Sequence, residues 1–199
     1  MPNVFIVHGW GGDSECDWIP WLKEELQKRG VNATAPDMPN TNVPKIEEWV
    51  PFLSTAAANA DEHTYFVGHS IGCQTVVRYL AGLPEGKRVG GAVLVAGYRD
   101  ITDQLSTPEE KEIMRPWKET PIDWEKAKAH AGSFTCIVSD DDPYVPVNEA
   151  REFGIALGAN IIMDNGRGHF SDDDDVTALP SLLYALLNMM GMPEMEPLI

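Results

Sequence analysis

Apolar positions along the chain change period in a regular way. Val4-Phe5-Ile6-Val7 is a short continuous apolar run, and His8-Gly9-Trp10-Gly11-Gly12 then turns the chain. Trp18, Trp21, Leu22 and Leu26 follow at helical spacing, with Gly30 as a stop signal. Val31 to Ala35 reads as a second strand, and Asp37 to Pro44 as a turn-rich loop. Lys45 to Ala58 reads as a helix that Pro51 should kink. Thr64 to Val67 is a third strand. Cys73, Val76, Val77 and Leu80 then mark one face of a helix at i, i+3, i+4 and i+7. Gly90–Ala96, Phe134–Val138 and Asn160–Met163 are three more strands. Glu149–Leu157 and Ala178–Met189 are helices.

Strands alternate with helices, and most strands are apolar without interruption. Such strands are buried on both faces, which implies about six mostly parallel strands with helices on either side. The segment 98–130 breaks the alternation. It is polar, with Trp117 and Trp124 among its few large apolar residues, and reads as a short lid above the carboxyl edge of the sheet. Residues 191–199 should form a loose tail. At 199 residues, 1–199 is expected to be a single α/β domain.

Composition narrows the partners. Fifteen basic against 31 acidic residues give a net charge of −16, a field that repels phosphate backbones and anionic lipid. Nucleic acid and membrane are therefore not expected as partners. Cys16, Cys73 and Cys136 are widely spaced and odd in number, so they read neither as a disulfide framework nor as a zinc site. Cys73 and Cys136 fall in expected core positions. The N-terminus shows no basic region followed by a long apolar run, and a cytoplasmic location is expected.

The chemistry concentrates where the third strand meets its helix. Gly68-His69-Ser70-Ile71-Gly72 lies between a β-rich run and an apolar helix, the order of a nucleophile elbow. A short motif alone is weak, but here the flanking elements are predicted independently of it. The two glycines let strand end and helix start crowd around a strained serine. A serine hydroxyl needs an adjacent base. In elbow folds the chain order is Ser, Asp or Glu, then His. Of the five histidines only His130 and His169 follow Ser70. His169 lies in Asn165-Gly166-Arg167-Gly168-His169-Phe170, a glycine-rich loop at the carboxyl end of a strand, where α/β sheets place their ligand sites. It is the expected base.

The acid should come from Asp140-Asp141-Asp142, just after the fifth strand. At least two of the three should be bystanders in a solvated loop. Asp142 precedes Pro143, whose fixed φ can hold that carboxylate in place, and Asp141 is the alternative. In a 2-1-3 strand order the loops leaving the first and third strands diverge at the switch point. Backbone N–H groups of Trp10 and Ile71 can then converge on one oxygen as an oxyanion hole. Trp10, Trp117 and Trp124 are candidates for the substrate pocket. Dinucleotide binding fails on spacing, because Ser14 stands at the third glycine position after Gly9-Trp10-Gly11. Neither Asp140–Asp142 nor Asp172–Asp175 has the spacing of a calcium loop, so no metal and no cofactor is expected.

The chain resembles the α/β-hydrolase superfamily, and within it the small serine hydrolases related to retinoblastoma-binding protein nine. The matching pieces are Val7 to Gly12, Gly68 to Gly72, Ser139 to Pro146 with its Asp-Pro-x-Val-Pro, and Gly168-His169-Phe170. The resemblance implies Ser70, Asp142 and His169 as a triad and a compact α/β-hydrolase fold with a minimal lid; because the sequence starts directly at the strand before His8-Gly9, the superfamily's usual first two strands are expected to be absent. The expected activity is cofactor-independent cleavage of a small acyl ester, with a thioester or amide as the other substrates the chemistry admits. A rival of another class is a protein-interaction module that keeps the scaffold without turnover. Labelling of Ser70 separates the two.

Overall fold

Every strand pair is parallel, in the order β2-β1-β3-β4-β5-β6. The structure, a computed structural model, describes residues 1–102 and 107–192. Its strands are β1 (Asn3–Val7), β2 (Asn32–Thr34), β3 (Thr64–His69), β4 (Gly91–Val95), β5 (Phe134–Val138) and β6 (Asn160–Met163). Every residue of β3, β4 and β5 is buried, whereas the edge strands β2 and β6 are partly open. The burial explains the unbroken apolar runs: a central parallel strand has no solvent face.

Alternate strand residues feed two cores. Phe66, Leu94 and Cys136 join one, and Val67, Val95 and Ile137 join the other. The first core is covered by α2 (Ile46–Ala56), α3 (Ile71–Ala81), α4 (Pro108–Glu119), α5 (Trp124–Ala129) and α6 (Val147–Leu157). The second lies under α1 (Ile19–Lys28) and α7 (Pro180–Met189). Ile19, Leu22 and Leu26 of α1 and Leu182 and Leu186 of α7 are wholly buried there. Each such side chain contributes about 1.5–3 kcal/mol.

Element ends follow proline chemistry. The last helix begins at Pro180 rather than Ala178, because proline suits the first helical turn. Likewise α6 starts after Pro146, two residues before the expected Glu149. Pro51 sits inside α2, which runs through it.

The segment 98–130 is more ordered than its polarity suggests. Among its described residues are two helices, α4 and α5. A capping box between Thr107 and Glu110 starts α4, which buries only Met114 and Trp117. The Asp123 side chain caps α5. Arg78 of α3 pins the end of α4, donating to Gln74 Oε1 and to the carbonyls of Trp117, Thr120 and Pro121. Of the tail expected at 191–199, residues 193–199 lie outside the described residues. No helix among the described residues is long and apolar enough to cross a membrane.

Strand order reverses between β1 and β3, with β2 on one side and β4 to β6 on the other. The two loops leaving their carboxyl ends part there, and the crevice between them is where such sheets hold ligands.

Candidate active site

Ser70 sits between β3 and α3 at φ +52°, ψ −120°, in the left-handed region. Its N–H donates to Val95 O (2.9 Å) and its carbonyl accepts from Cys73 N (3.0 Å), so neighbouring strand and helix hold the turn. Backbone strain of this kind costs on the order of 1–3 kcal/mol and persists only where surroundings over-determine it. The elbow glycines are required sterically. A Cβ on Gly68 would lie 2.7 Å from Cys73 N, and one on Gly72 would lie 2.4 Å from Val7 O. Both obstacles are backbone and cannot swing aside.

His169 reaches the same crevice on the loop after β6. Its Nδ1 lies 2.8 Å from Asp142 Oδ2, with the Asp142 side chain 3% exposed. A carboxylate only accepts, so Nδ1 carries the hydrogen and Nε2 presents its lone pair. Asp142 Oδ1 accepts from Tyr144 N (2.8 Å) and Val145 N (2.9 Å), which fixes the carboxylate plane. Tyr144 stands edge-on to the His169 ring at 5.0 Å. Among the described residues no hydrogen bond joins Ser70 Oγ to the imidazole, a looseness common before substrate binds.

The other two acids are not bystanders, contrary to the expectation for a solvated acidic run. Asp141 Oδ1 accepts from Ser139 Oγ (2.6 Å) and Gly168 N (2.8 Å). These donors, Ser139 first, hold its carboxyl below the usual range. Asp140 Oδ1 accepts from Gly166 N (2.9 Å), and Ser139 Oγ accepts from Arg167 N (3.1 Å). The loop after β5 thus laces the histidine loop through consecutive side chains. Asp174 Oδ2 completes the grip, taking His169 N at 2.8 Å and Ser171 Oγ at 2.7 Å. Asp174 escaped the sequence reading because it lies in a run of four aspartates, whose one visible signal was charge. His130, the other histidine after the elbow, is buried with Nδ1 against Lys87 O at 2.6 Å.

The loop after β1 is built on His8. Its Nε2 accepts from Met38 N (2.9 Å), which leaves Nδ1–H to donate to Gly9 O (2.7 Å). Burial lowers its pKa, in keeping with this neutral tautomer. In this loop Gly11 N–H is engaged by Thr41 O and Gly12 N–H by Gly9 O. Trp10 N–H and Ile71 N–H, the first amide of α3, have no backbone acceptor among the described residues.

Ser70, His169, Trp10 and Ile71 line one cavity of about 560 Å³. Tyr98, Ile101, Met114 and Tyr144 supply its other apolar walls. Trp117 and Trp124 do not line it, which corrects their place as pocket candidates. Trp117 is 1% exposed, packs edge-on to Trp49 and donates Nε1–H to Pro44 O at 2.9 Å. Trp124 packs edge-on to Phe153. A buried indole N–H needs an acceptor, and for Trp117 that acceptor lies in the core rather than the crevice. Met114, one turn earlier on α4, reaches the cavity instead. Cys16 also lines it, but burial raises its thiol pKa to about 12, so it is no competing thiolate.

Known proteins share this arrangement of chain. The family model described as serine hydrolase matches residues 4–188. The ydeN gene product of Bacillus subtilis is 33% identical over 185 residues, covering 93% of this chain and 94% of its own. Its crystal structure superposes with a TM-score of 0.88, over 96% of this chain and 100% of that one, at 30% identity. The serine hydrolase RBBP9 of Rattus norvegicus is 31% identical over 178 residues, covering 86% of this chain and 89% of its own. Est1E of Butyrivibrio proteoclasticus, solved with ferulic acid bound, shares the fold alone: TM-score 0.73 over 96% of this chain and 90% of that one, at 17% identity.

Proposed function

The chain belongs to the serine hydrolase family, and from that membership we propose that it cleaves a carboxylic ester through an acyl-enzyme on Ser70. His169 Nε2 takes the serine proton as Oγ attacks the carbonyl carbon, then delivers it to the leaving alcohol. Asp142 keeps the hydrogen on Nδ1 and stabilises the imidazolium that forms. Amides of Trp10 and Ile71 hold the oxygen that becomes negative in the tetrahedral intermediate. Water, deprotonated by the same imidazole, attacks the acyl-enzyme and frees the acid. Every step is proton transfer and acyl exchange, so no cofactor or metal takes part.

The observation that carries this reading is the 2.8 Å contact of His169 Nδ1 with a buried Asp142, set in the cavity that Ser70 lines. Trp10, Tyr98, Ile101, Met114 and Tyr144 give that cavity an apolar side, and Asp17, Glu110, Asp173 and Asp174 add carboxylates to its lining, which suits a small uncharged acyl ester. The charge of −16 argues against nucleic acid and anionic membrane as partners. Three cysteines without a disulfide suit the cytoplasm. The test is a fluorophosphonate probe followed by acyl esters of rising chain length. Labelling at Ser70, lost in Ser70→Ala together with ester turnover, is the expected result. A folded Ser70→Ala protein of undiminished activity would end the proposal.

A further inference from the structure

Beside the His169–Asp142 pair lies a second histidine–carboxylate pair. His69, the last residue of β3, is buried immediately before Ser70. Its Nε2 lies 2.8 Å from the backbone oxygen of His169. A carbonyl only accepts, so Nε2–H donates. On its far side, Asp17 Oδ2 lies 3.3 Å from Nδ1, within ion-pair distance but outside hydrogen-bonding geometry. The ring is walled by Trp18, edge-on at 5.8 Å, and by the loop after β1, where a Cβ on Gly9 would come 3.2 Å from Nδ1. The His169 ring stands 5.2 Å away.

Asp17 is itself tied to the histidine loop. Its N–H donates to Asp172 Oδ2 and its Oδ1 accepts from Asp172 N, both at 2.9 Å. Burial pushes the Asp17 carboxyl up, but the His69 ring and the Asp172 amide outweigh it and hold the carboxyl below its usual range. Both Asp17 and Phe170 have positive φ, 56° and 60°, so two strained turns meet at this junction.

Resting on the serine-hydrolase reading above, we infer that His69 is a positioning residue, which with Asp17 sets where the His169 imidazole stands relative to Ser70. His169 is held at both ends of its own residue: Asp174 takes its N–H and His69 meets its carbonyl. His69 is covalently adjacent to the nucleophile, so this one contact links base to serine through a single peptide unit. Other anchors of the loop, Asp140, Asp141 and Asp174, reach it from the loop after β5 or from its own continuation. None of these three reaches it from the elbow itself. Misplacing a reacting group by about 1 Å can cost about 10²-fold in rate.

The test uses the full-length protein and a p-nitrophenyl acyl ester. His69→Phe keeps ring volume and removes the donor; His69→Gln keeps a side-chain N–H that can reach the same carbonyl. Expected for His69→Phe is a kcat lower by about 10²-fold, with KM and Tm close to the parent's. His69→Gln should recover most of that kcat. A merely structural role would move Tm with activity and would not distinguish the two substitutions. Asp17→Asn should lower kcat, and the double variant His69→Ala/Asp17→Asn should be no worse than the poorer single, because the two residues act through one contact that either change breaks. That cycle also decides the matter if His69→Phe does not fold. Parental kcat in folded His69→Phe, equal losses in Phe and Gln, or fully additive losses in the cycle would each overturn the inference. Ser70→Ala run alongside separates its failure from failure of the serine mechanism.

Discussion

Asp142→Asn tests the site most sharply, because the surrounding backbone decides which way the new amide must face. Asp142 Oδ1 accepts two N–H groups, from Tyr144 and Val145. An asparagine keeps those bonds only if its oxygen takes the Oδ1 position. Its NH₂ then replaces Oδ2, 2.8 Å from His169 Nδ1. Two donors cannot share that contact, so the imidazole shifts its hydrogen to Nε2. In that tautomer Nε2 has no lone pair for the serine proton. The analogous exchange in a Ser-His-Asp triad costs about 10⁴ in kcat. At 1.36 kcal/mol per tenfold that is about 5.5 kcal/mol of transition-state stabilisation. Asp141→Asn is the matched control. Its Oδ1 can still accept from Ser139 and Gly168 after the exchange, so only the charge assistance of those bonds is lost. That loss should stay within about tenfold in kcat/KM. The assay is kcat/KM on one ester together with the rate of fluorophosphonate inactivation, which reads Ser70 nucleophilicity without turnover. Asp142→Asn within tenfold of the parent, or Asp141→Asn the more damaged of the two, would refute the assignment.

Other outcomes follow from the same geometry. His169→Ala should abolish nearly all ester turnover, while His130→Ala leaves kcat/KM near the parent's; the reverse pattern would move the base to His130. Burial lowers the His8 pKa from 6.5, so the unfolded chain binds the proton more readily than the native one. The resulting stability is complete above pH 6.5 and falls as the pH drops toward the native value. Urea melts at neutral and mildly acidic pH should show this loss, and His8→Gln should flatten it. Gly72→Ala drives a Cβ to within 2.4 Å of Val7 O. Chemical denaturation should show a loss of about 3 kcal/mol, the upper end for a forced overpacking. Arg78→Met orphans the carbonyls of Trp117, Thr120 and Pro121. It should raise KM more than it lowers kcat, because α4 carries Met114 into the cavity but no residue of the proposed proton relay.

The parallel sheet was legible because burial on both faces writes itself as unbroken apolar runs in β1, β3, β4 and β5. The elbow was legible for a different reason: Gly68 and Gly72 are imposed by backbone atoms, so residue identity encodes geometry directly. Trp117 and Trp124 misled because size and apolarity mark a residue for burial without saying which cavity it fills. Whether an indole faces the core or the crevice depended on an acceptor at Pro44, 73 residues away. The roles of Asp140, Asp141 and Asp174 were hidden for a related reason. A run of like residues carries no register, and what separates the three is which amide of the 166–169 loop each one meets. Helix α4 was missed because its end is anchored by Arg78 on α3 rather than by a continuous apolar stripe, and α5 because six residues capped by Asp123 are too few to show a period.

The reciprocal bonds between Asp17 and Asp172 join residues 155 positions apart, and the contact of His69 with His169 spans 100. Contacts so distant in sequence form only after the chain between them has found its place, since closing that loop costs entropy in advance. The nucleophile turn asks less, because its N–H is satisfied by Val95 in the adjacent β4. On the proposed mechanism, serine reactivity would be a clock for the end of folding. A refolding chain sampled with a fluorophosphonate should build its sheet signal first and gain labelling last, when the loop after β6 docks onto the loop after β1. The enzyme would then be unable to act on esters while still assembling, a temporal safeguard written into chain order alone.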